Sequence, residues 1–200
     1  MKFAYFFLAS SLIHNHCIES AQQPFHTKFK IKELSYYVAE EVTSVCDIFQ
    51  DPDIADTSGG TPDLIRIFIT ESPWRFLVCQ TIDNPTEACG TLGFTHNQQK
   101  TAATFEVIAV KKEFQRQGIA SALMAYAQYK YTFPSVRKIV LHTKPSNESA
   151  IACYQKQKFT MHGNQPGQHC AECHDTDTQV YCMEKNIIPA TTQSCCWSWR

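Results

Sequence analysis

Between residues 75 and 144 the chain changes its apolar period in a fixed order, and that order narrows the folds open to it. Residues 75–82 (RFLVCQTI), 88–97 (ACGTLGFTHN) and 102–110 (AATFEVIAV) read as strands. The first two are joined through an Asn84-Pro85 turn. Residues 119–131 then take a helical period, stopped before Pro134. Residues 138–144 (KIVLHTK) form a short apolar run bounded by polar residues, the pattern of a buried strand. Three antiparallel strands followed by strand–helix–strand imply a mixed sheet with one parallel connection, because only parallel neighbours need a crossover helix. The fold class expected is α/β (α+β), with a mostly antiparallel sheet flanked by helices.

The flanks extend this pattern. Residues 28–33 alternate and predict a short strand, and 34–49 has Leu34, Val38, Val42, Val45 and Ile48/Phe49 on one helical face. Residues 50–63 (QDPDIADTSGGTPD) read as a turn-rich loop, and LIRIFIT after it fits either a short helix or a strand. Residues 147–157 predict a helix capped by Asn147 or Ser146, and KFTMHG and VYCMEK predict two late strands. Helix and strand segments alternate through one core-sized span, so a single domain over 28–186 is expected, with a leader at 1–27 and a tail at 187–200.

The leader carries Lys2, an apolar run from Phe3 to Ile13 and then a polar stretch. That is the form of a secretory signal, and it is too short to span a bilayer, so no stable membrane insertion is expected. Cleavage after Ala21 would put Glu19 where a small residue is required. Two localisations follow: exported with a signal peptide, or cytoplasmic with an apolar leader packed on the domain. The formal net charge of −1 provides no general attraction to nucleic acid. The charge is uneven, however. Residues 40–71 hold eight acids against Arg66 alone, and residues 111–144 hold seven bases against Glu113 alone. Such a split fits two ligands of opposite charge, or two ordinary solvated faces.

The loop before the 119–131 helix, Gln115-Arg116-Gln117-Gly118-Ile119-Ala120, spends one of only seven glycines at a strand-to-helix junction. Amides at a helix N-terminus lack intrahelical partners and the helix dipole favours an anion there. Gly118 lets backbone approach a ligand closely. Arg116, Lys111 and Lys112 add positive charge nearby. The spacing is neither the three-glycine dinucleotide fingerprint nor a Gly-Lys-Ser/Thr P-loop.

At these residues the chain resembles the GNAT superfamily of acetyl-CoA-dependent N-acetyltransferases, whose signature is Gln/Arg-x-x-Gly-x-Gly/Ala between its fourth strand and third helix. VIAVKKEFQRQGIASALM is similar to the family's strand–loop–helix, and SNESAIACYQKQKF to its later helix and strand. The chain departs at Lys112, where proline is frequent, and at Gln157-Lys158, where a small apolar residue and glycine are usual. The resemblance implies that backbone amides of Gln115, Arg116, Gln117, Gly118, Ile119 and Ala120 hold the pyrophosphate of acetyl-CoA. It implies that Ile108, Ala109 and Val110 pair with the pantetheine arm and that Asn147 hydrogen-bonds it. Tyr154 takes the place of the general acid that protonates the departing thiolate. Glu106 is the candidate base for the attacking amine, sharing a strand face with Thr104 and Ile108 by simple alternation. His96 and His142 rank behind it as structural histidines. The acceptor implied is a primary amine on a small molecule or protein, and the acidic stretch points to a cationic one. A non-catalytic acyl-CoA-binding module is the alternative from another class.

Ten cysteines are many for a cytosolic chain. Cys170-x-x-Cys173-His174 has the form of a c-type haem attachment, and these residues with His169 or Cys182 could form a zinc site. A short insertion has little apolar surface to cover a haem, and no second C-x-x-C supports zinc. The expectation is therefore disulfide or plain thiols, with no metal or haem.

Overall fold

The computed structural model describes residues 28–58, 60–131, 135–168 and 179–187. The leader, the 169–178 segment with Cys170, Cys173 and His174, and the tail beyond 187 lie outside the described residues. The domain is a mixed α/β fold. Its strands are β1 (Phe29–Glu33), β2 (Arg75–Thr81), β3 (Ala88–His96), β4 (Ala102–Val110), β5 (Lys138–Thr143), β6 (Thr160–Met161) and β7 (Tyr181–Asn186). Its helices are α1 (Ala39–Asp47), α2 (Pro52–Ser58), α3 (Pro62–Glu71), α4 (Ile119–Tyr131) and α5 (Glu148–Lys156). The strands form one sheet in the order β1-β2-β3-β4-β5-β7-β6. Every pairing is antiparallel except β4 with β5.

Each face of the sheet buries a core. On one side α4 presents Ile119, Leu123, Ala127 and Tyr131, four residues apart and therefore one stripe, against Leu92, Phe94 and Phe105. Tyr154 of α5, Ile139, Leu141 and Met183 complete that cluster. On the other side Val42, Val45 and Cys46 of α1 and Ile65 and Ile69 of α3 pack on Phe76, Val78, Val107 and Ala109. Burial of one such aliphatic side chain is worth about 1.5–3 kcal/mol, so the sheet is held from both faces. Gly90 allows the closest approach: a Cβ there would come within 2.7 Å of Ile119 Cγ2, so glycine lets the start of α4 lie on β3.

The sequence and the structure part company in several elements. The helix expected over 34–49 begins at Ala39, after a turn, and ends in a 3-10 turn at Ile48–Gln50. Leu34 N–H instead donates to Phe76 O at 2.8 Å and extends the β1–β2 pairing, which takes the first residues out of the helix. The expected loop at 50–63 holds α2. Asp51 Oδ1 accepts from Asp53 N at 2.9 Å, Pro52 opens the helix, and Ile54 is buried in the core. LIRIFIT is helical because Thr61 caps it, accepting from Leu64 N, and because Ile65 and Ile69 bury on one face. The strand expected from KFTMHG shrinks to Thr160–Met161.

β4 also carries a bulge. Leu92 pairs with Ile108 and Phe94 with Phe105, so a three-residue step on β4 answers a two-residue step on β3. The extra residue exchanges the faces of everything after it. Ala103, Phe105, Ile108 and Val110 pack with the α4 side, and Val107 and Ala109 with the α1–α3 side. Simple alternation had put Glu106 and Ile108 together; the bulge puts them on opposite sides.

At the edge strand β1, Glu33 Oε2 accepts from the Tyr131 hydroxyl at 2.7 Å, and Arg75 Nε donates to Glu33 Oε1 at 2.8 Å. Burial raises the Glu33 pKa, but the bonds from Tyr131 and Arg75 outweigh it and hold the carboxyl below its ordinary value of 4.5. A carboxylate with a depressed folded pKa contributes stability above its unfolded pKa, and that contribution is lost as pH falls through the folded value. Glu33→Gln should cost about 1 kcal/mol near neutral pH, a small figure because solvent reaches the pair. It should also flatten the loss of thermal midpoint below pH 4.5, measured by melting both proteins from pH 7 to pH 3.

Candidate active site

The parallel ladder between β4 and β5 runs from Ala102↔Lys138 to Phe105↔Leu141 and stops there. Both strands continue, β4 to Val110 and β5 to Thr143, but they are no longer paired with each other. The opening between them is a cavity of about 480 Å³. Its walls come from β4 (Glu106, Ile108, Ala109, Val110), the following loop and the start of α4 (Gln115, Arg116, Gly118, Ile119, Ala120), the end of β5 (His142, Thr143) and α5 (Asn147, Tyr154). Of the residues singled out from sequence, Gln117 and His96 are not on this wall. Gln117 Nε2 donates to Glu113 O at 3.2 Å and ties the loop to itself. His96 Nε2 lies 3.0 Å from Tyr131 O, at the other end of the sheet, where burial lowers its pKa.

The loop's shape follows from two residues in the left-handed region, Arg116 at φ +61° and Gly118 at φ +83°. Arg116 pays a steric cost of about 1–2 kcal/mol for that conformation, whereas glycine adopts it freely. A Cβ built on Gly118 would meet nothing within 4 Å, so the loop backbone faces open space. The first helical bond of α4 runs from Ala122 N to Gly118 O. The amides of Ile119, Ala120 and Ser121 precede it and are the unsatisfied donors of the first turn. Gln115 Nε2 donates to Val110 O at 3.2 Å and ties the loop to the strand end.

Asn147 caps α5, its Oδ1 accepting from Ala150 N at 3.2 Å, which leaves its amide N–H groups as the donors it can offer the cavity. Tyr154 is buried on α5, its ring 6.2 Å from that of Phe159. Burial, with a lesser contribution from Cys153, pushes the Tyr154 phenol up, so it stays protonated across the neutral range.

Charge is arranged differently from the expectation of a free basic patch. Lys111 Nζ donates to Glu87 Oε1 at 2.8 Å, and Lys112 Nζ to Asp53 Oδ2 at 3.0 Å. Lys144 Nζ donates to Asp56 Oδ1 at 2.9 Å and to Asp56 O at 2.7 Å. Part of the acidic stretch therefore answers part of the basic one. Through Asp53 and Asp56, α2 is clasped to the chain just past β4 and just past β5, across the mouth of the opening.

A model of the acetyltransferase (GNAT) family matches residues 42–159, well over half of the 200 residues. This chain belongs to the GNAT family. Among solved structures the GNAT chain is similar to Ard1 from Thermoplasma volcanium, at 24% identity over 80% of this chain and 98% of that one, with a TM-score of 0.61. It is similar to a GNAT acetyltransferase from Staphylococcus aureus at 17% identity, covering 80% and 99%, TM-score 0.61. It is also similar to spermidine N-acetyltransferase from Vibrio cholerae, solved with CoA and spermine, at 19% identity, covering 79% and 95%, TM-score 0.59. At these identities the likeness is one of fold. No curated protein sequence matches the chain.

Some residues of the GNAT site were not visible in the sequence. Ile54, Thr57 and Ser58 of α2 line the cavity, and the Asp51-Pro52 start signal could have found that helix. Ser121 and Cys153 face each other across the gap between α4 and α5, Oγ to Sγ 3.8 Å, and nothing in their spacing announces the contact. Among the described residues no cluster of three or more His, Cys, Asp or Glu could hold a metal ion.

The clasp rests on exposed ion pairs, each worth about 0–1 kcal/mol. The double substitution Asp53→Asn with Asp56→Asn should leave global stability within about 2 kcal/mol. It should speed amide hydrogen exchange selectively over residues 52–58, which mass spectrometry of peptic fragments would measure.

Proposed function

We propose that this protein transfers the acetyl group of acetyl-CoA to a primary amine by direct attack, with Tyr154 as general acid and Glu106 as candidate base. The observation that carries the reading is the opening between β4 and β5. It gathers the anion-binding loop, an unpaired strand edge, a buried protonated phenol and a carboxylate around one cavity.

The residues present fit acetyl-CoA. The backbone at Gly118 has open space in front of it, where a side chain would stand in the way of a phosphate, and the first-turn amides of α4 are donors for an anion. Gln115, Arg116, Gln117, Gly118, Ile119 and Ala120 would hold the pyrophosphate, with Gln117 contributing backbone only. Beyond Phe105 the β5-facing edge of β4 has no strand beside it among the described residues, so Ile108, Ala109 and Val110 can hydrogen-bond an extended pantetheine arm as an added strand. Asn147 adds its amide donors. Tyr154 lends a proton to the leaving thiolate, which makes expulsion easier than release of a bare anion. Glu106 sits on the α1–α3 side, where it can draw an ammonium in and take part in removing its proton.

The acceptor proposed is a cationic amine on a small molecule or a protein. Glu106 on the cavity wall supports it, as does the fold shared with a spermidine N-acetyltransferase. A non-catalytic acyl-CoA-binding module would use the same loop without the phenol.

Calorimetry with acetyl-CoA and a thiol-release assay with spermidine and a lysine-containing peptide test the reading. Gly118→Glu should weaken acetyl-CoA binding at least tenfold. Tyr154→Phe should bind acetyl-CoA normally yet turn over about 10²–10³-fold more slowly. Undiminished turnover in Tyr154→Phe would remove the acid assignment, and binding by the native protein with no turnover of any amine would favour the binding module.

A further inference from the structure

The start of β3 carries a bulge of its own, and it brings two thiols together. Cys79 of β2 pairs with Gly90 and Gln80 pairs with Ala88, so Cys89 is the extra residue on β3. Val78 and Ala88 lie on the α1–α3 side, whereas Cys79 and Cys89 both lie in the cluster on the α4 side. Cys89 and Gly90 thus answer Cys79 together, and only Cys89 brings a side chain to that face. Residues that answer each other across an antiparallel pair have Cα atoms about 4.5–5.5 Å apart. A disulfide spans about 4.4–6.8 Å between Cα atoms, so the two distances match. Neither cysteine is exposed, and Cys89 Sγ donates to Cys79 O at 3.1 Å. The Cys79 thiol in turn hydrogen-bonds the Cys89 sulfur, which pushes Cys79 up, with burial adding to it, and holds Cys89 below its ordinary value. The other described cysteines are elsewhere: Cys46 in the α1–α3 cluster, Cys182 against Val140 and Cys153 against Ser121.

We propose that Cys79 and Cys89 are a modification site, a dithiol that closes to a cross-strand disulfide by exchange with a small-molecule disulfide such as oxidised glutathione. This rests on the fold and is independent of the acetyltransfer reading. Cys89 is the attacking thiol, because the bond from Cys79 stabilises its thiolate. Its sulfur attacks one sulfur of the oxidant and expels one glutathione thiolate. The Cys79 sulfur then attacks Cys89 Sγ and expels the second. Two protein S–H bonds break and one S–S bond forms. The oxidant is reduced to two thiols, which take up the two protons. β2 and β3 are consecutive strands, so the pair meets as soon as their hairpin forms, before the core closes over it. Once buried, the bond is reached by a reductant only through local opening.

The bulge also underlies the candidate site. Cys89 O accepts from Lys111 N at 3.0 Å, and Gly90 pairs with Val110 and lies against Ile119. The loop from Gln115 to Ala120 is therefore held between two segments that rest on this bulge. A bond from Cys89 to Cys79 ties that seat to β2.

The test refolds the full reduced chain from denaturant in a buffer of reduced and oxidised glutathione, so that access to the core does not limit exchange. Remaining thiols are then alkylated and the peptides mapped by mass spectrometry. A Cys79–Cys89 linked peptide should be the main product carrying either residue. The linked protein should melt about 5–10 °C above the same protein refolded in reductant, the shift expected for closing a short loop in a chain of this size. Reductant should open the bond at least tenfold more slowly in the folded protein than in denaturant. Cys79→Ala should lose the melting shift while keeping any linkage among the other cysteines. Free thiols at both positions after oxidative refolding, or a bond from either to another cysteine, would overturn the proposal. So would equal melting with and without the bond. Acetyl-CoA enters none of these measurements, so they stand or fall separately from acetyltransfer.

Discussion

The site depends on one interruption: the β4–β5 ladder makes four pairs and stops at Phe105↔Leu141. A parallel ladder needs evenly spaced bonds along both strands, and the bulge after Phe105 removes that spacing on β4. Two consequences come from the same defect. The β4 edge is left without β5 beside it, and the side chains beyond it change face. The open strand edge and the change of side-chain face thus share a single cause. The surrounding core holds the defect in place, since Val107 and Ala109 are buried on one face while Ile108 and Val110 pack on the other.

Around that opening the polar interactions are arranged to hold loops rather than to stabilise the fold. The Asp53–Lys112 and Asp56–Lys144 pairs are exposed, and pairs of that kind contribute little energy. What they supply is position, joining α2 to the chain past both diverging strands. Gln115 and Gln117 act similarly inside the loop, where each side chain is turned back onto a backbone carbonyl. The loop can then hold Arg116 and Gly118 in left-handed conformations and present its amides outward.

Much of the fold was legible because period and punctuation agreed. The strands at 75–81, 88–96, 102–110 and 138–143 and the helices at 119–131 and 148–156 were visible from alternation, spacing and the Asn147 cap. The errors have physical reasons. Residues 34–38 have helical spacing, but Leu34 joins the sheet through Phe76 O, and pairing outweighs propensity there. Residues 52–58 are polar and rich in turn formers, and it is the burial of Ile54 and the Asp51 cap that make them a helix.

Local chemistry alone determined the glycine-bearing loop before α4, the capped helix with Tyr154, and a mixed sheet with one crossover. Each follows from contacts within a few residues, which sequence spacing encodes. Tertiary structure alone decided which side chains meet. Whether Glu106 shares a face with Ile108 depends on a one-residue bulge that no residue type marks. The partners of Lys112 and Lys144 lie 59 and 88 positions away. Register and long-range ion pairing are properties of the assembled sheet, and a one-dimensional pattern carries no record of them.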